Sequence, residues 1–468
     1  MSSKKIAIIG CGISGLQTAL SLLKQNTKIS ELTLFEKTDK IGGCLQTDKK
    51  DGYVLENAAQ GVLLNHSAFT NIVFNSTLKN NLISPQMKNL KRYLIRNNSS
   101  IPIQPFSIAK ILGWYGFFRI FWEFFVTPKV IANESLFEFL QRRFGKKFAS
   151  VFAVPMASGI WAGGARRILV RHVFPQFIQM EQEHGSLLKG LLKTHFFSKV
   201  KKNKADTSNS GLGSFQDGMQ ALPQELFAQI QNFCAEKNIT LKMLFNHESQ
   251  NINHLNSLFF IDNIGPFHAC VLAIAPWQQK SLVFSGEWEN QTQERFKILQ
   301  NIPTHNAVVV GIGGRNNSRN IQGFGALTNT DSKYILGVLF VHSIYPMHVP
   351  NGNFLFRFIL GGDRSPNIMA HSKEEIVQIC LDFAHEKQLI DKNSTIDFKK
   401  AILWPQAIPL ATESHDLTLR TIWQIEATTP GLFLTGNYID GVGVADCLRQ
   451  GETTAKKMND FLNQVAPA

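Results

Sequence analysis

The chain has 468 residues, which is too long for one compact core and enough for two or three domains. Hydrophobic residues make up 44% of the chain and charged residues 18%, a globular balance that excludes a collagen-like, low-complexity or wholly disordered protein. The net charge of +13 favours an acidic partner. The basic residues are spread along the chain, and only residues 199–204 form a dense basic run, which argues against nucleic acid. We therefore expect the partner to be an acidic small molecule or an anionic lipid.

The first 36 residues have the pattern of a βαβ unit. Residues 4–9 form a short apolar run typical of a buried strand, and the turn after it carries Gly10, Gly12 and Gly15. A stretch with helical apolar periodicity follows, and a second strand at residues 31–35 ends at Glu36. This order of strand, glycine turn, helix and acidic residue predicts an α/β fold with a Rossmann-like dinucleotide-binding domain.

Each glycine of the turn has a steric role. Gly10 allows the tight turn, Gly12 lets the backbone approach a pyrophosphate, and Gly15 lets the helix pack close to the strand. The helix N-terminus offers free N–H groups and a partial positive charge to the phosphates, and Glu36 is predicted to accept hydrogen bonds from ribose hydroxyls. The predicted cofactor contacts here are Gly10, Cys11, Gly12, Ile13, Ser14, Gly15, Glu36 and Lys37.

A second glycine pair favours FAD over NAD. Gly42 and Gly43, followed by Cys44, come soon after the second strand, where FAD-binding oxidases bring the chain close to the ribityl-phosphate region of the flavin. Glu36 also disfavours a 2′-phosphate, which argues against NADP. We therefore predict FAD as the cofactor, with these three residues as further contacts.

Residues 105–130 are rich in Phe and Trp. Lys110, Arg119 and Glu123 interrupt them, so no uncharged run approaches the roughly 20 residues that a membrane-spanning helix needs. Two interpretations remain open: an amphipathic segment that dips into a membrane interface, or a helix packed inside the protein.

The C-terminal region returns to the first domain. Residues 268–276 have the pattern of a core strand, residues 291–405 mix strands and helices, and residues 431–434 form another strand. A glycine-rich turn then leads into a helix whose N-terminal dipole is suited to stabilising negative charge on a reduced flavin. The predicted cofactor contacts in this region are Asn437, Val442, Gly443 and Val444.

Several motifs resemble those of the protoporphyrinogen oxidase family, a branch of the flavin amine oxidase superfamily. They are GCGISGLQTAL, FEKTDKIGGCLQT, SGIWAGGARRILVRHVFPQFIQMEQEHGSLLKG at residues 158–190, GSFQDGMQALPQEL at residues 213–226 and GNYIDGVGVADCLRQGETTA at residues 436–455. They run in order over nearly the whole chain. The first and last indicate the superfamily, while the 158–190 stretch and the GVGVADC ending are specific to the porphyrinogen branch.

The resemblance implies three parts. A discontinuous FAD-binding domain comprises residues 1–85, 206–290 and 406–468, and a mixed α+β substrate-binding domain comprises residues 291–405. A helical domain for membrane association and substrate entry comprises residues 86–205. Residues 105–130 fall where that family has its membrane-associating helices, which favours the interfacial interpretation of this segment.

The resemblance also implies a reaction. The expected activity is the six-electron oxidation of protoporphyrinogen IX to protoporphyrin IX in haem synthesis, in three two-electron steps, with hydride passing to FAD and O2 becoming H2O2. Oxidation of coproporphyrinogen III is the second choice. The other classes considered are a flavin amine oxidase or carotenoid-desaturase-like enzyme, and a tetrapyrrole-binding protein that keeps FAD for structure only.

The family's site residues carry over to a few positions. The segment that passes the flavin corresponds to Ala58, Ala59, Gln60 and Gly61, although the family's usual Gly-Pro is absent there. Arg92 resembles the family's propionate-binding Arg, since a guanidinium grips a carboxylate with two parallel hydrogen bonds. Gly159 matches a glycine beside the flat substrate ring.

No residue is assigned as a catalytic acid or base. His415 is a candidate by residue type only, and Asp416 stands where some family members have Trp.

The six Cys residues are scattered without CxxC spacing, which argues against a metal site and a disulfide framework and favours a reducing compartment. The N-terminal segment does not have the pattern of a secretory signal. We expect a cytoplasmic protein held peripherally at the membrane; the oligomeric state is left open, with a homodimer as one candidate.

Overall fold

The computed structural model describes residues 3–26, 28–64, 66–74, 76–85, 91–96, 99–193, 211–287, 289–319, 321–329 and 332–464. The basic run at residues 199–204 lies outside these ranges.

The strands are numbered in chain order. Those of the N-terminal part are β1 (Lys4–Ile9), β2 (Ile29–Phe35), β3 (Thr47–Lys50), β4 (Tyr53–Glu56), β5 (Val62–Leu63), β6 (Leu82–Ile83), β7 (Arg92–Arg96) and β8 (Ser99–Pro102). Those of the middle part are β9 (Leu212–Phe215), β10 (Thr240–Leu244), β11 (Asn251–Leu255), β12 (Leu258–Ile261), β13 (Ile264–Phe267), β14 (Ala269–Leu272) and β15 (Val283–Gly286). The remaining strands are β16 (Thr304–Arg315), β17 (Gly325–Thr328), β18 (Ile335–Phe340), β19 (Phe354–Gly361), β20 (Thr395–Pro409) and β21 (Leu432–Leu434).

The helices are numbered in the same way. The first eight are α1 (Ile13–Gln25), α2 (Ser67–Val73), α3 (Pro105–Phe121), α4 (Leu136–Phe144), α5 (Lys146–Phe148), α6 (Val154–Trp161), α7 (Val170–Val173) and α8 (Pro175–His184). The others are α9 (Ala221–Glu236), α10 (Glu289–Gln300), α11 (Val341–Ile344), α12 (Lys373–Glu386), α13 (His415–Thr428) and α14 (Val444–Gln464).

The first sheet is parallel, with strand order β10-β2-β1-β14-β21. Alternate side chains of β1 enter two cores: Ile6 and Ile8 pack with residues of α1, α9 and α14, while Ala7 and Ile9 pack with a core under α10, α13 and the β11–β13 strands. Both faces are therefore covered, which explains the unbroken apolar runs. In such a sheet the carboxyl ends of the strands meet at one edge, where ligands bind.

The second large sheet has the order β20-β16-β19-β18-β17-β7-β8 and is antiparallel except where β17 pairs with β7. Strands β7 and β8 come from the stretch expected to be helical. Arg92 and Arg96 lie exposed at the two ends of β7, while Leu94 and Ile95 between them are buried. Burial against neighbouring strands therefore places residues 92–102 in the second large sheet.

The helical region between residues 105 and 193 is held by buried ion pairs. Arg143 is fully buried, and its guanidinium donates to the carboxylates of Glu123 (2.7 Å) and Glu181 (3.1 Å). Arg142 adds a 2.7 Å bond to Glu134. These bonds join α4 and α8 to the end of α3. Breaking one of them would leave an unpaired buried charge, which is strongly destabilising.

The outer side of this region carries exposed aromatic side chains, which we call the aromatic surface: Trp114, Tyr115, Phe118, Phe121, Trp122 and Phe125. Helix α3 is interrupted at Gly113, whose φ of 70° is not helical. Among the residues that the structure describes, no helix is both long enough and apolar enough to cross a bilayer.

Candidate functional site

The turn between β1 and α1 is shaped by its three glycines. Gly10 has a φ of +101°, and a Cβ there would lie 2.5 Å from the carbonyl oxygen of Ala273. A Cβ on Gly15 would lie 2.1 Å from the oxygen of Gly10, so the helix approaches the strand as closely as glycine permits. A Cβ on Gly12, in contrast, would meet no other atom within 4 Å. The turn thus leaves open space where a pyrophosphate would need close access to the backbone.

The Glu36 carboxylate is buried at the end of β2, beside this turn. Its Oε2 accepts a hydrogen bond from the Cys11 N–H (3.0 Å), and its Oε1 accepts from the backbone N–H (3.0 Å) and hydroxyl (2.9 Å) of Thr38. A carboxylate has about four acceptor positions, so these bonds orient the group and leave capacity for a ribose hydroxyl. The adjacent Lys37 forms an ion pair with Glu248 at 2.8 Å.

The second glycine pair lies directly against the first turn. The Gly42 N–H donates to the Cys11 carbonyl at 2.8 Å, and a Cβ on Gly43 would be 3.3 Å from the Cα of Gly12. Cys44 is accessible, yet desolvation by the surrounding protein raises the pKa of its thiol, as expected for a side chain inside a cleft.

Helix α14 begins next to α1. A Cβ on Gly451 would lie 2.8 Å from the Cβ of Gln17 and 2.9 Å from the carbonyl oxygen of Ser14, so the two helices pack tightly. The Cys447 thiol contacts Ser14, and burial together with the neighbouring Cys44 raises its pKa to about 12. Two helix N-termini therefore present their free N–H groups and partial positive charge in one place.

The turn before α14 lies between the predicted cofactor contacts and the helical region of residues 105–193. Gly443 and Val444 stand at the helix start, and Val442 packs against a core that contains Trp161 and Leu410. Asn437 is half-buried just after β21. The structure thus brings the N-terminal and C-terminal groups of predicted cofactor residues to one edge of the parallel sheet.

The segment containing Ala58, Ala59, Gln60 and Gly61 is held by the second sheet. The guanidinium of Arg357, buried in β19, donates from Nε to the Glu56 carbonyl (3.0 Å) and from a terminal nitrogen to the Ala58 carbonyl. The indole N–H of Trp404 donates to the Asn57 carbonyl at 2.7 Å. Strands of the second large sheet therefore set the shape of this segment, which is predicted to pass the flavin.

Unpaired buried polar atoms in these segments fit an additional polar group. Among the described residues, both amide atoms of Gln60, the side-chain oxygen of Asn57 and the hydroxyls of Thr435 and Tyr438 are buried without a hydrogen-bond partner. Such atoms are rare because each raises the free energy of the folded state. Together with the space at Gly12, they fit a dinucleotide that extends from the glycine turn towards residues 57–60.

Glu56 is a buried acid in this arrangement. Burial raises its pKa to about 7, although the Met219 N–H and the Thr47 hydroxyl donate to its carboxylate and Arg357 lies nearby. Because the folded state then binds a proton more tightly than the unfolded chain, this group stabilises the protein most at low pH.

We expect the free energy of unfolding to fall by about 3 kcal/mol as the pH rises from the ordinary value of 4.5 through about 7, and Glu56→Gln to remove that dependence. Urea unfolding across this pH range measures the effect. Glu294→Gln, at an exposed position, is the control. Parallel curves for the wild type and Glu56→Gln would contradict the assignment.

The two predicted substrate residues border one strand, β17. Arg92 is exposed, pairs with Gly325 and has its guanidinium carbon 5.2 Å from the ring centre of Phe324. Gly159 in α6 is also accessible, and a Cβ there would lie 3.3 Å from Leu327. Because Leu327 is two residues beyond Gly325, the two positions are separated by roughly 7 Å along the strand.

His415 is buried at the start of α13. Its ring lies 4.6 Å from that of His172 and contacts the backbone of Ile439, and desolvation lowers its pKa to about 4. Asp416 pairs instead with Arg171 (2.5 Å) and His172 (3.2 Å). The imidazole of His415 is therefore neutral at neutral pH and supports the chain that follows β21.

Arg357, Trp404 and Glu56 were not among the sequence-predicted site residues. A signal for Arg357 was present, since a single charged residue interrupts the apolar run FLFRFILG of β19. Nothing local connects that position to residues 56–58, which are about 300 positions away. Among the described residues, no group of three or more His, Cys, Asp or Glu side chains is placed to hold a metal ion.

Comparison with known proteins gives concordant results. The model of the flavin containing amine oxidoreductases matches residues 13–459. The chain is 25% identical to protoporphyrinogen oxidase 2 (chloroplastic/mitochondrial) of Arabidopsis thaliana, covering 100% of this chain and 96% of the plant protein. It is also 25% identical to coproporphyrinogen III oxidase of Bacillus subtilis (strain 168), covering 98% of each.

A crystal structure from Exiguobacterium sp. 255-15, of a protein assigned as a protoporphyrinogen oxidase, superposes with a TM-score of 0.80 at 20% identity and covers 99% of this chain and 100% of that one. This confirms the mixed α/β fold with a parallel sheet. The helical membrane-associating domain stays a prediction.

Proposed function

We propose that this chain, which belongs to the flavin-containing amine oxidoreductase family and is an FAD-dependent oxidoreductase, oxidises a porphyrinogen. The placement of the exposed Arg92 and Gly159 beside one strand, β17, carries the proposal, because it offers a cation for a propionate close to a position open to a flat ring. Relatives named for protoporphyrinogen and for coproporphyrinogen III are equally similar to the chain. Protoporphyrinogen IX is the first choice of substrate and coproporphyrinogen III the second.

The residues divide the work in the proposed reaction. The glycine turn, Glu36, Gly42–Gly43 and the start of α14 would hold FAD, which when bound supplies a two-electron acceptor for hydride. Arg92 would bind a propionate of the macrocycle, and Gly159 would leave room for its ring. The N-terminus of α14 favours negative charge near it. Six electrons leave the substrate in three pairs, with O2 as the proposed final acceptor and H2O2 as the product.

The test uses the purified protein with its flavin. Protoporphyrinogen IX and coproporphyrinogen III are added in turn without oxygen, while flavin absorbance and porphyrin fluorescence are followed. We expect bleaching of the flavin together with the appearance of porphyrin, faster with the preferred substrate. A yellow protein that neither bleaches nor produces porphyrin with either compound would overturn the proposal, and oxidation of an amine instead would favour the amine oxidase alternative.

Arg92→Ala is expected to raise KM for the porphyrinogen by roughly tenfold, because a hydrogen bond to a charged group contributes about 1.5–3 kcal/mol. The FAD content should not change, since Arg92 lies on β7, outside the cofactor-holding segments. Steady-state kinetics and the flavin absorbance of the purified variant measure both. Lys91→Ala, at the neighbouring exposed cation, is the control; unchanged kinetics of Arg92→Ala would remove it from the site.

We also propose that the protein is cytoplasmic and contacts a membrane through the aromatic surface. Trp114, Tyr115 and Phe125 are 73%, 87% and 78% exposed, an unusual state for so many neighbouring aromatic side chains. Aromatic side chains together with basic residues are typical of interfacial segments. A membrane contact also suits an apolar substrate.

The double variant Trp114→Ser with Phe118→Ser is expected to lower affinity for phosphatidylcholine vesicles at least about tenfold. The wild-type protein would transfer two large apolar side chains from water into the bilayer on binding, and the variant lacks both. Sedimentation with vesicles measures this. Trp423→Ser removes a similarly exposed Trp on α13 and should leave binding unchanged. Equal binding by the double variant and the wild type would contradict the proposed contact.

A further inference from the structure

Helix α6, which carries one of the two proposed substrate residues, ends in a tight turn at residues 162–164. Ala162 has a left-handed φ of 57°, a conformation that few residues other than glycine adopt. The turn lies directly against the short segment Gly362–Arg364, since a Cβ on Gly362 would be 1.4 Å from the Ala162 carbonyl oxygen. The two segments therefore meet as closely as a glycine allows.

Asp363 and His305 bind the end of α6 through polar contacts. The carboxylate of Asp363 accepts a hydrogen bond from the Gly164 N–H, and its own backbone N–H donates to the Ala162 carbonyl at 3.3 Å. His305, buried near the start of β16, has its Nδ1 2.9 Å from the carbonyl oxygen of Trp161, the last residue of α6. Its Nε2 lies 2.8 Å from Oδ1 of Asp363.

Both ring nitrogens of His305 thus face acceptor atoms, one a carbonyl oxygen and the other a carboxylate. A histidine ring donates from both nitrogens only as an imidazolium. Burial favours the neutral form of Asp363, but the contacts with His305 and with the Gly164 N–H hold the pKa of this carboxyl below its ordinary value. The imidazolium therefore faces a carboxylate, and hydrogen bonds between charged groups are stronger than those between neutral groups.

The segment that contains Asp363 also holds the strand opposite α6. The guanidinium of Arg364 donates to the carbonyl of Thr328 in β17 at 2.8 Å. The preceding residue of β17, Leu327, is the one that a Cβ on Gly159 would approach to 3.3 Å. Contacts of Asp363 and Arg364 therefore fix both sides of the gap between α6 and β17, where Gly159 is proposed to leave room for the ring.

We propose that His305 is a positioning residue for the porphyrinogen: it holds the end of α6 at the distance from β17 that the macrocycle needs. The inference rests on the proposed function, because it takes the ring to lie at Gly159. With both of its nitrogens directed at protein groups, His305 acts through Trp161 and α6 and not by direct contact with the substrate. It adds a residue from the second large sheet to those that determine substrate binding.

Three substitutions separate the two contacts of the ring. His305→Leu removes both of them. His305→Asn keeps the contact with Trp161, because the amide nitrogen of Asn is attached to Cγ in the same way as Nδ1 of His. His305→Gln keeps the contact with Asp363 instead, because its amide nitrogen reaches the position of Nε2. The two polar variants also preserve the test if His305→Leu does not fold.

We expect His305→Leu and His305→Gln to raise KM for the porphyrinogen at least about fivefold, as loss of a hydrogen bond from a charged donor would, and His305→Asn to restore most of the wild-type KM. The kcat should stay within about twofold and the FAD content should not change, whereas general damage to the fold would lower both. His371→Leu, at a partly exposed histidine before α12, is the control and should leave KM unchanged.

Amide hydrogen exchange of the flavin-loaded protein, followed by mass spectrometry on peptides that cover residues 158–165, examines the turn without substrate. We expect His305→Leu and His305→Gln to speed exchange at the Gly164 N–H at least about tenfold, and His305→Asn to leave it close to the wild-type rate. Equal KM values for His305→Gln, His305→Asn and the wild type would overturn the proposal, even if exchange became faster.

The two measurements also distinguish this proposal from the proposed function. A wild type that oxidises neither porphyrinogen would remove the proposed function and, with it, the porphyrinogen as the ligand that His305 positions. Wild-type exchange rates in His305→Leu and His305→Gln would overturn the role of His305 in holding α6, whatever the substrate.

Discussion

Gly12→Val is expected to yield a folded protein that purifies without FAD. A Cβ at this position meets no protein atom within 4 Å, and the backbone angles of −72° and 179° are accessible to Val, so the apo fold tolerates the substitution. The added isopropyl group occupies the space that a pyrophosphate needs in order to reach the backbone and the N-terminus of α1. We expect the affinity for FAD to fall at least about a hundredfold, equivalent to about 3 kcal/mol.

Flavin absorbance per protein and titration of the apo protein with FAD measure this loss, and circular dichroism shows whether the variant is folded. Gly211→Val is the matched control, because a Cβ on Gly211 also meets no atom within 4 Å and the residue is exposed outside the cofactor turn. A Gly12→Val protein that retains a full complement of FAD would place the cofactor elsewhere.

Arg357→Met is expected to lower the free energy of unfolding by about 3–5 kcal/mol, the range for loss of one partner of a buried charged network. Its guanidinium is the hydrogen-bond donor to the carbonyls of Glu56 and Ala58, and it also lies close to the buried Glu56 carboxylate. Removing it leaves these acceptors in a dry environment. The segment at residues 58–61 should become less ordered, so we also expect weaker retention of FAD.

Urea unfolding at neutral pH measures the change. Arg315→Met, on the same sheet but with a largely exposed side chain paired to Asp397, should lower stability by less than about 1 kcal/mol. Combining Arg357→Met with Glu56→Gln should recover part of the loss, because without its cation the buried Glu56 carboxyl must take up a proton on folding at neutral pH, whereas Gln is uncharged in both states. A loss below about 1 kcal/mol for Arg357→Met would show that the guanidinium does not hold this segment.

The βαβ unit could be predicted from the sequence because its determinants are contiguous. A buried strand, three glycines, a helix and an acidic residue fall within residues 4–36, and each acts on its near neighbours through backbone sterics, hydrogen bonding or helix packing. The structure shows these features as predicted in their local geometry: Gly10 and Gly15 at close backbone approaches, Gly12 facing open space, and Glu36 beside the turn. The FAD-dependent class of the enzyme follows from this unit and from the family it belongs to.

The assembly of the site was decided only by tertiary structure. Arg357 reaches the Glu56 carbonyl across 301 positions, and α14 packs against α1 from the far end of the chain. The strands β7 and β8 joined the second sheet although their stretch was expected to be helical. No local pattern encodes such contacts, because which buried donor meets which carbonyl depends on how separately folded sheets and helices pack together, whereas a glycine turn depends only on the residues on either side of it.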